Sequence, residues 1–252
     1  MVGEVQTWCV AVLLISLRIV PALAFSPPFT LIRIPALVRV MLCISLSAWI
    51  VSAHPAQTTA VDVQRIGLFA VVLSELVIGL ALALPIQLAF AALMTAGRAV
   101  DLQAGYAFAM IADPSSRAHL PLIGMLFAYA AAMIFFATDG PADLLAIWSY
   151  SVEHLPLGTA LGGDALNVIA AYTGAVFVMA FGAGGLVLLV LFLIDGSIAL
   201  MSRTLPQMNV MFLGFQVKSI ATLVVLPIAL AGSGALFARL MRFALDTMLK
   251  LV

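Results

Sequence analysis

The chain has 252 residues, of which 65% are apolar and only 9% are charged, with 11 acidic and 11 basic side chains. A soluble domain carries about 25% charged residues, so this composition lacks the polar side chains that cover a surface facing water. It predicts an integral membrane protein and argues against both a disordered chain and a nucleic-acid binder, because the cations are scattered singly and form no basic patch.

Six apolar segments predict membrane helices. About 20 apolar residues cross a bilayer as a helix, and a helix satisfies its own backbone hydrogen bonds in lipid. The N-terminus lacks the basic start of a cleaved signal peptide, so we expect the first segment to be retained. The sequence therefore predicts an all-α, multi-pass membrane protein that forms a single domain over residues 1–252. The six predicted segments are 5–25, 40–61, 76–97, 118–138, 165–194 and 219–238.

Prolines and charges modify this simple picture. Four prolines between 21 and 35 predict a kinked or hairpin connection over 22–33, and Pro85 and Pro227 fall inside later segments, so several helices should be broken. Six alternating crossings would place five cations on one side and four on the other, which leaves the orientation undecided. Residues 139–164 contain four acids and no Lys or Arg, and predict a non-cytoplasmic loop.

Two charged residues lie inside apolar stretches. Glu75 and Lys218 would each cost roughly 2.5 to 3.5 kcal/mol at the centre of a membrane helix. Such residues normally face a protein interior or an aqueous path, although a structural ion pair or a snorkelling end residue explains each of them equally well.

Two further stretches concentrate polar residues. In the first, Arg98 and Asp101 are three positions apart and could pair on a helix, Gln103 follows, and Gly105 permits a turn. A solvated loop between helices is the plainer interpretation. The second extends from Asp195 to Lys218, and a structural connector between two membrane helices would explain it as well. Its other polar or helix-breaking members are Arg203, Pro206, Gln207, Asn209 and Gly214.

No pattern in the sequence predicts catalysis. The three histidines are isolated from one another and from acids at helical spacing, and the two cysteines are too few for a cysteine-based zinc site. Motifs typical of hydrolases and nucleotide-binding proteins are absent from the sequence. We therefore expect a protein that is not an enzyme and has no cofactor and no bound metal.

The stretch Arg203-Thr204-Leu205-Pro206-Gln207-Met208-Asn209-Val210, with Gly214 and Lys218 after it, resembles the signature of the FliR/SctT family of type III export-gate proteins. Supporting landmarks occur in family order along nearly the whole chain. The sequence departs from the family at Pro141, where a His is frequent after the glycine, and at Met211, where a Phe is common. The landmarks are Arg18, Pro21, Phe25, Pro27, Pro35, Arg39, Glu75, Gly79, Phe90, Ala96, Gly97, Asp101, Gln103, Gly105, Asp113, Pro114 and Asp195.

The resemblance implies a non-enzymatic subunit of a helical, pore-forming export gate. Family members assemble with FliP- and FliQ-type subunits and contact an FlhB-type switch protein. It further implies a location in the bacterial inner membrane at the flagellar basal body, with lipid and exported proteins in transit as contacts and no nucleic acid. A flagellar system is favoured over an injectisome. The competing interpretation is a small secondary transporter that binds a solute at broken helices.

The resemblance also implies roles for individual residues. A loop that plugs the closed pore would correspond to residues 105–119, with Gly105 and Pro114 at its bends and Tyr106, Phe108, Met110 and Ile111 as apolar bulk. We expect the charged and polar residues to make assembly contacts or polar contacts inside the protein. These are Arg18, Glu75, Arg98, Asp101, Gln103, Asp195, Arg203, Pro206, Gln207, Asn209, Gly214 and Lys218.

Overall fold

The computed structural model describes residues 2–32, 34–59, 67–106, 121–204 and 210–252. Within these ranges the secondary structure is helical and contains no strand, which confirms the all-α prediction. The helices, numbered in chain order, are α1 Val2–Phe25, α2 Pro27–Leu31, α3 Ala36–Ala53, α4 Pro55–Thr58, α5 Leu68–Ala104, α6 Leu122–Ala137, α7 Gly140–His154, α8 Ala165–Thr204 and α9 Val210–Lys250.

Where the structure describes them, the six predicted apolar segments lie mainly in helices. In the described ranges, five helices are long and apolar enough to cross a membrane, namely α1, α3, α5, α8 and α9. The pair α6 and α7, bent by 71°, makes a sixth span if it is counted as one. Several helices extend well beyond the predicted bounds. Helix α5 begins before Glu75 and includes Asp101, because both charged side chains are buried inside the protein and do not interrupt the helix.

The prediction of a loop over 139–164 is wrong for most of that range, because helix α7 occupies residues Gly140–His154. One face of α7 is buried through Leu144, Ile147 and Val152, whereas Asp143 and Glu153 lie on its exposed side. A segment rich in acids was therefore predicted as a loop although most of it is an amphipathic helix. Charges on one face of a helix are compatible with burial of the other face.

The proline-rich connection is partly helical and forms the bend of a hairpin between α1 and α3. Helix α1 continues through Pro21, and α2 starts with two prolines at its first positions, where a missing N–H costs no hydrogen bond. The Arg39 guanidinium donates to the carbonyl oxygens of Ala24 and Ile34, both at 3.1 Å. This cation satisfies a carbonyl at the end of α1 and holds the connection in place.

The chain divides into two compact units. The first comprises Met1–Leu88, Phe135–Gly174 and Met241–Val252, and the second comprises Ala89–Ile134 and Ala175–Leu240. In the first unit, Phe29 packs edge-on against Phe135 and Phe136, with ring centroids 6.3 Å and 6.0 Å apart. In the second unit, Phe127 and Phe237 pack edge-on at 5.9 Å. Each unit therefore has an aromatic core of its own.

Candidate functional site

The first unit contains a buried guanidinium whose five donors are all used. Arg18 is 0% exposed and donates from Nε to Glu75 Oε2 at 2.8 Å and from Nη2 to Glu75 Oε1 at 3.0 Å. Its Nη1 donates to the carbonyl oxygen and the hydroxyl of Ser151, both at 2.9 Å, and Nη2 donates to the Leu155 carbonyl at 2.9 Å. A guanidinium has five N–H groups, so no donor is left unpaired.

The acceptors of Arg18 come mainly from the end of one helix. Ser151 lies in the last turn of α7, where its carbonyl also accepts from the Leu155 N–H, and Leu155 is the C-cap. A cation is favoured at this end of a helix. Glu75 also accepts from the Gly158 N–H at 3.3 Å, in a turn where that glycine has φ of +81°. Both buried charges are thus compensated. We call Arg18, Glu75, Ser151, Leu155 and Gly158 the Arg18 cluster.

A glycine brings the two charged helices together beside this cluster. Gly79 lies one turn after Glu75, and a Cβ placed there would be 2.7 Å from the carbonyl oxygens of both Leu17 and Arg18. The backbones of α5 and α1 are therefore in direct contact. This close approach lets the short Glu75 side chain reach Arg18 from the neighbouring helix.

The Arg18 cluster is suited to holding α1, α5 and the end of α7 together rather than to binding a ligand, because its donors and acceptors satisfy one another. Among the described residues, no three His, Cys, Asp or Glu side chains lie close enough to hold a metal ion. The sequence identified Arg18 and Glu75 separately but missed their pairing and the contributions of Ser151, Leu155 and Gly158. The sequence indicates this pairing only through two single, opposite charges in different apolar helices.

In the second unit, Asp101 binds the start of a helix. Asp101 is 3% exposed, and both its carboxylate oxygens lie 3.2 Å from the Ile123 N–H, in the first turn of α6. A carboxylate at this position satisfies an unpaired donor and is favoured by the helix dipole. The predicted pair with Arg98 is not formed, because Arg98 lies on the exposed side of α5 whereas Asp101 faces α6.

Two glycines explain why α5 and α6 can cross so closely. A Cβ at Gly97 would lie 2.3 Å from the Cα of Gly124, a distance that no side chain could occupy. Gly184 of α8 also lies close to α5, since its Cβ would be 3.1 Å from Val100 Cγ2. The crossing at Gly97 and Gly124 therefore places Asp101, one turn further along α5, over the first turn of α6.

The end of α5 has the turn that its glycine predicts. Gly105 has φ of +87°, the Tyr106 N–H donates to the Asp101 carbonyl at 3.0 Å, and the Gly105 N–H donates to the Leu102 carbonyl at 3.2 Å. This is a Schellman arrangement, in which a left-handed glycine closes the helix. The Tyr106 hydroxyl donates to the Ser219 carbonyl at 3.4 Å, which ties the turn to α9.

An ion pair joins α8 and α9 within the second unit. Lys218 forms a salt bridge with Asp195, and their side chains are 20% and 42% exposed, respectively. One turn away, a Cβ at Gly214 would lie 3.0 Å from Ile198 Cδ1. The two contacts fix an antiparallel register, so the polar stretch from Asp195 to Lys218 folds back on itself.

The other predicted site residues are not brought into these clusters. Gln103 is half-buried in the last turn of α5, and Arg203 is exposed near the end of α8. The remaining predicted residues lie outside the described part of the chain and stay predictions. They are Phe108, Met110, Ile111, Pro114, Pro206, Gln207 and Asn209.

Long apolar helices, two of them joined by a buried ion pair, define a multi-pass helical membrane protein. Residues 9–244 match the family described as bacterial export proteins, family 1, and the chain belongs to this family. This match confirms the family membership predicted from residues 203–218.

Individual relatives from flagellar and other secretion systems agree with the family match. The chain is 30% identical to the flagellar biosynthetic protein FliR of Bacillus subtilis over 184 residues, which cover 71% of this chain and 70% of that protein. It is 27% identical to FliR of Escherichia coli over 212 residues, covering 79% and 76%. It is also 28% identical to the secretion system apparatus protein SsaT of Salmonella typhimurium over 160 residues, covering 63% and 62%.

Proposed function

We propose that the chain is a non-enzymatic subunit of the type III protein export gate and that it forms, with FliP- and FliQ-type subunits, the pore for flagellar protein export during flagellum assembly. The observation that carries this proposal is the family match over residues 9–244, together with relatives named FliR. The proposed location is the bacterial inner membrane at the flagellar basal body. The whole chain, 1–252, acts there as one domain beside an FlhB-type switch protein.

The lengths of the last two helices support assembly with other subunits. Helices α8 and α9 have 40 and 41 residues, a rise of about 60 Å each, whereas the apolar core of a bilayer is about 30 Å thick. Leu166 and Leu200, near the two ends of α8, are 77% and 67% exposed. Tilting accommodates only part of such an excess, so partner proteins would cover the remaining apolar surface.

The polar residues support the same proposal. Asp195 is 42% exposed in an apolar helix, and facing lipid would be unfavourable for its carboxylate. In the proposed assembly, Glu75 and Asp101 lie on polar contacts inside the protein, whereas Asp195, Lys218 and the exposed Arg203 lie at contacts with partner subunits.

The plug is a further part of the proposal. The segment 105–119 would close the resting pore by excluding water with apolar side chains. The closed turn at Gly105 and the tie from Tyr106 to the Ser219 carbonyl support it, because they anchor the start of this segment to α9.

Co-purification tests the proposal against the secondary-transporter alternative. We expect the chain, expressed with FliP- and FliQ-type subunits, to purify in a stable complex, and Lys218→Ala to reduce complex yield. Lys250→Ala, the same change at the exposed end of α9, is the matched control and should have no effect. A chain that purifies as a monomer in the presence of these subunits and binds a solute would overturn the proposal.

A further inference from the structure

Outside the sites already described, one histidine links two helices of the first unit. His54 ends α3 and precedes α4, and its side chain is 15% exposed. Its Nδ1 lies 3.2 Å from the Ile50 carbonyl oxygen, and its Nε2 lies 3.0 Å from Glu153 Oε1 on α7, 99 positions away in the chain. The sequence, which predicts isolated histidines, gives no indication of this contact.

His54 Nδ1 faces the Ile50 carbonyl oxygen and Nε2 faces a carboxylate oxygen of Glu153, and neither oxygen donates a hydrogen bond. The Ser149 hydroxyl, 3.5 Å from Nε2, can donate to that nitrogen only when it carries no proton. A neutral imidazole carries one N–H and one acceptor nitrogen, so it can satisfy either the Ile50 carbonyl or the Glu153 carboxylate, but not both. The imidazolium has two N–H groups and satisfies both. We propose that His54 is a proton-dependent contact between the end of α3 and the end of α7, which closes when the ring is protonated and opens when it is neutral.

The helix ends around His54 favour a cation at this position. A cation is favoured at the C-terminal end of α3 by the helix dipole, and Glu153 lies in the last turn of α7, where a carboxylate is disfavoured unless a cation is near. Ser149 Oγ, 3.5 Å from His54 Nε2, is uncharged, and α4 carries no ionisable side chain. Among the described residues, helix α1, which packs on α3, carries Glu4 in its first turn, and α7 carries Asp143 in its first turn and the basic His154 beside Glu153.

The position of His54 allows exchange of protons with water. Trp8 and Trp49 near this end of the α1–α3 hairpin are 37% and 54% exposed, and the Trp8 indole N–H lies 3.4 Å from Ser52 Oγ. Exposed tryptophans are typical of the boundary between membrane and water. Glu153 is 48% exposed, so we place the His54 contact at this boundary.

Closing the contact would act directly on the Arg18 cluster. Glu153 lies between Ser151 and Leu155, whose carbonyl oxygens accept from the buried Arg18 guanidinium. A proton bound at His54 would therefore hold the same turn of α7 that compensates Arg18. The inference adds a response to pH that the proposed export function does not require, and its test does not depend on that function.

Hydrogen exchange of the purified full chain in lipid nanodiscs tests the inference. Between pH 5.5 and 8, we expect amide protection of 55–59 and 150–158 to fall by about two- to fivefold after correction for intrinsic exchange. This factor is what a partly exposed ion pair provides. His54→Gln should abolish this dependence, and Glu153→Gln should weaken it. Protection that does not change with pH in the wild-type protein would overturn the inference.

His154→Gln is the matched control. Its ring stacks on Tyr150 with centroids 3.8 Å apart, and its Nδ1 lies 3.1 Å from the Tyr150 carbonyl oxygen, so this histidine makes its contacts within α7. The variant should keep the wild-type pH dependence, and loss of the dependence here would contradict the assignment to His54. If His54→Gln does not fold, nitrogen NMR of histidine-labelled wild-type protein decides the question. A doubly protonated His54 ring at pH 5.5 supports the inference, and a neutral ring overturns it.

Discussion

Arg18 and Glu75, 57 positions apart in the chain, form a bidentate ion pair in which both side chains are 0% exposed. Burying two charges is unfavourable unless each is paired and its remaining hydrogen-bonding capacity is satisfied. Here the end of α7 supplies those additional bonds. The Arg18 cluster thus depends on three separate parts of the sequence, and a change in any of them should affect the others.

Removing one member of the ion pair should destabilise the protein strongly. We expect Arg18→Ala and Glu75→Ala each to cost about 3 to 5 kcal/mol, because each leaves an uncompensated buried charge. The double variant Arg18→Met with Glu75→Leu should recover part of this loss, since no unpaired charge remains. Thermal unfolding in detergent measures the effect, with the exposed Arg98→Ala as the control. Single variants as stable as the wild type would contradict the buried pair.

Gly79→Ala should separate α1 from α5. The added methyl group would lie 2.7 Å from two backbone carbonyl oxygens, which cannot move aside as a side chain could, so we expect a loss of about 1 to 3 kcal/mol. Gly174→Ala is the matched control, because nothing lies within 4 Å of that position in α8, and it should gain about 0.5 to 1 kcal/mol from helix propensity. Equal melting temperatures for the two variants would show that the close approach at Gly79 is absent.

Asp101 should stabilise the first turn of α6 through an acceptor oxygen. Asp101→Ala is expected to cost about 1 to 2 kcal/mol, as loss of a helix cap does, whereas Asp101→Asn keeps one acceptor and should cost less. Hydrogen exchange of the peptide that contains Ile123 reports this difference locally. If both variants leave this exchange unchanged, the contact from Asp101 to the Ile123 N–H does not contribute to stability.

The Asp195 and Lys218 pair should tolerate exchange of its two charges better than loss of one. We expect Asp195→Ala or Lys218→Ala to lower the yield of protein inserted in the membrane, since each leaves one charge without its partner in an apolar helix. The exchanged variant, Asp195→Lys with Lys218→Asp, should recover most of that yield. Recovery no better than in the single variants would contradict the register between α8 and α9.

Wild-type motility of a strain carrying Asp101→Ala and Lys218→Ala together would count against the proposed polar contacts.

The plug proposal predicts an ion leak. Replacing residues 108–111 with a Gly-Ser segment of equal length removes the apolar bulk while keeping the chain length, and it should raise ion conductance through assembled complexes reconstituted in vesicles. Deleting the same four residues should have the same effect. The wild-type assembly provides the baseline, and conductance equal to this baseline in both variants would exclude a plug at this position.

The sequence predicted six apolar segments and placed several of their boundaries incorrectly. The described residues contain five helices long enough to span a membrane and a bent pair that makes a sixth if it is counted as one span. Charge-free intervals located the segments, but the interval 76–97 is bounded by Glu75 and Arg98, whereas α5 begins at Leu68, contains the buried Glu75 and Asp101, and ends at Ala104. The same reasoning missed α7, whose acids share one exposed face. Local composition is a poor guide to helix ends when a charged side chain is compensated by a group distant in the chain.

The sequence by itself determined the class of the protein and its family. The apolar content requires helices in a membrane, and the stretch from Arg203 to Val210 carries the family signature. Only the tertiary structure decided which charges compensate one another. Arg18 pairs with Glu75 and two carbonyl groups of α7, and Asp101 binds a backbone N–H instead of the nearby Arg98. The physical reason is that every residue has a backbone donor or acceptor of the same kind. The sequence therefore does not show which backbone group will bind a buried side chain, and only folding brings the two within hydrogen-bond distance.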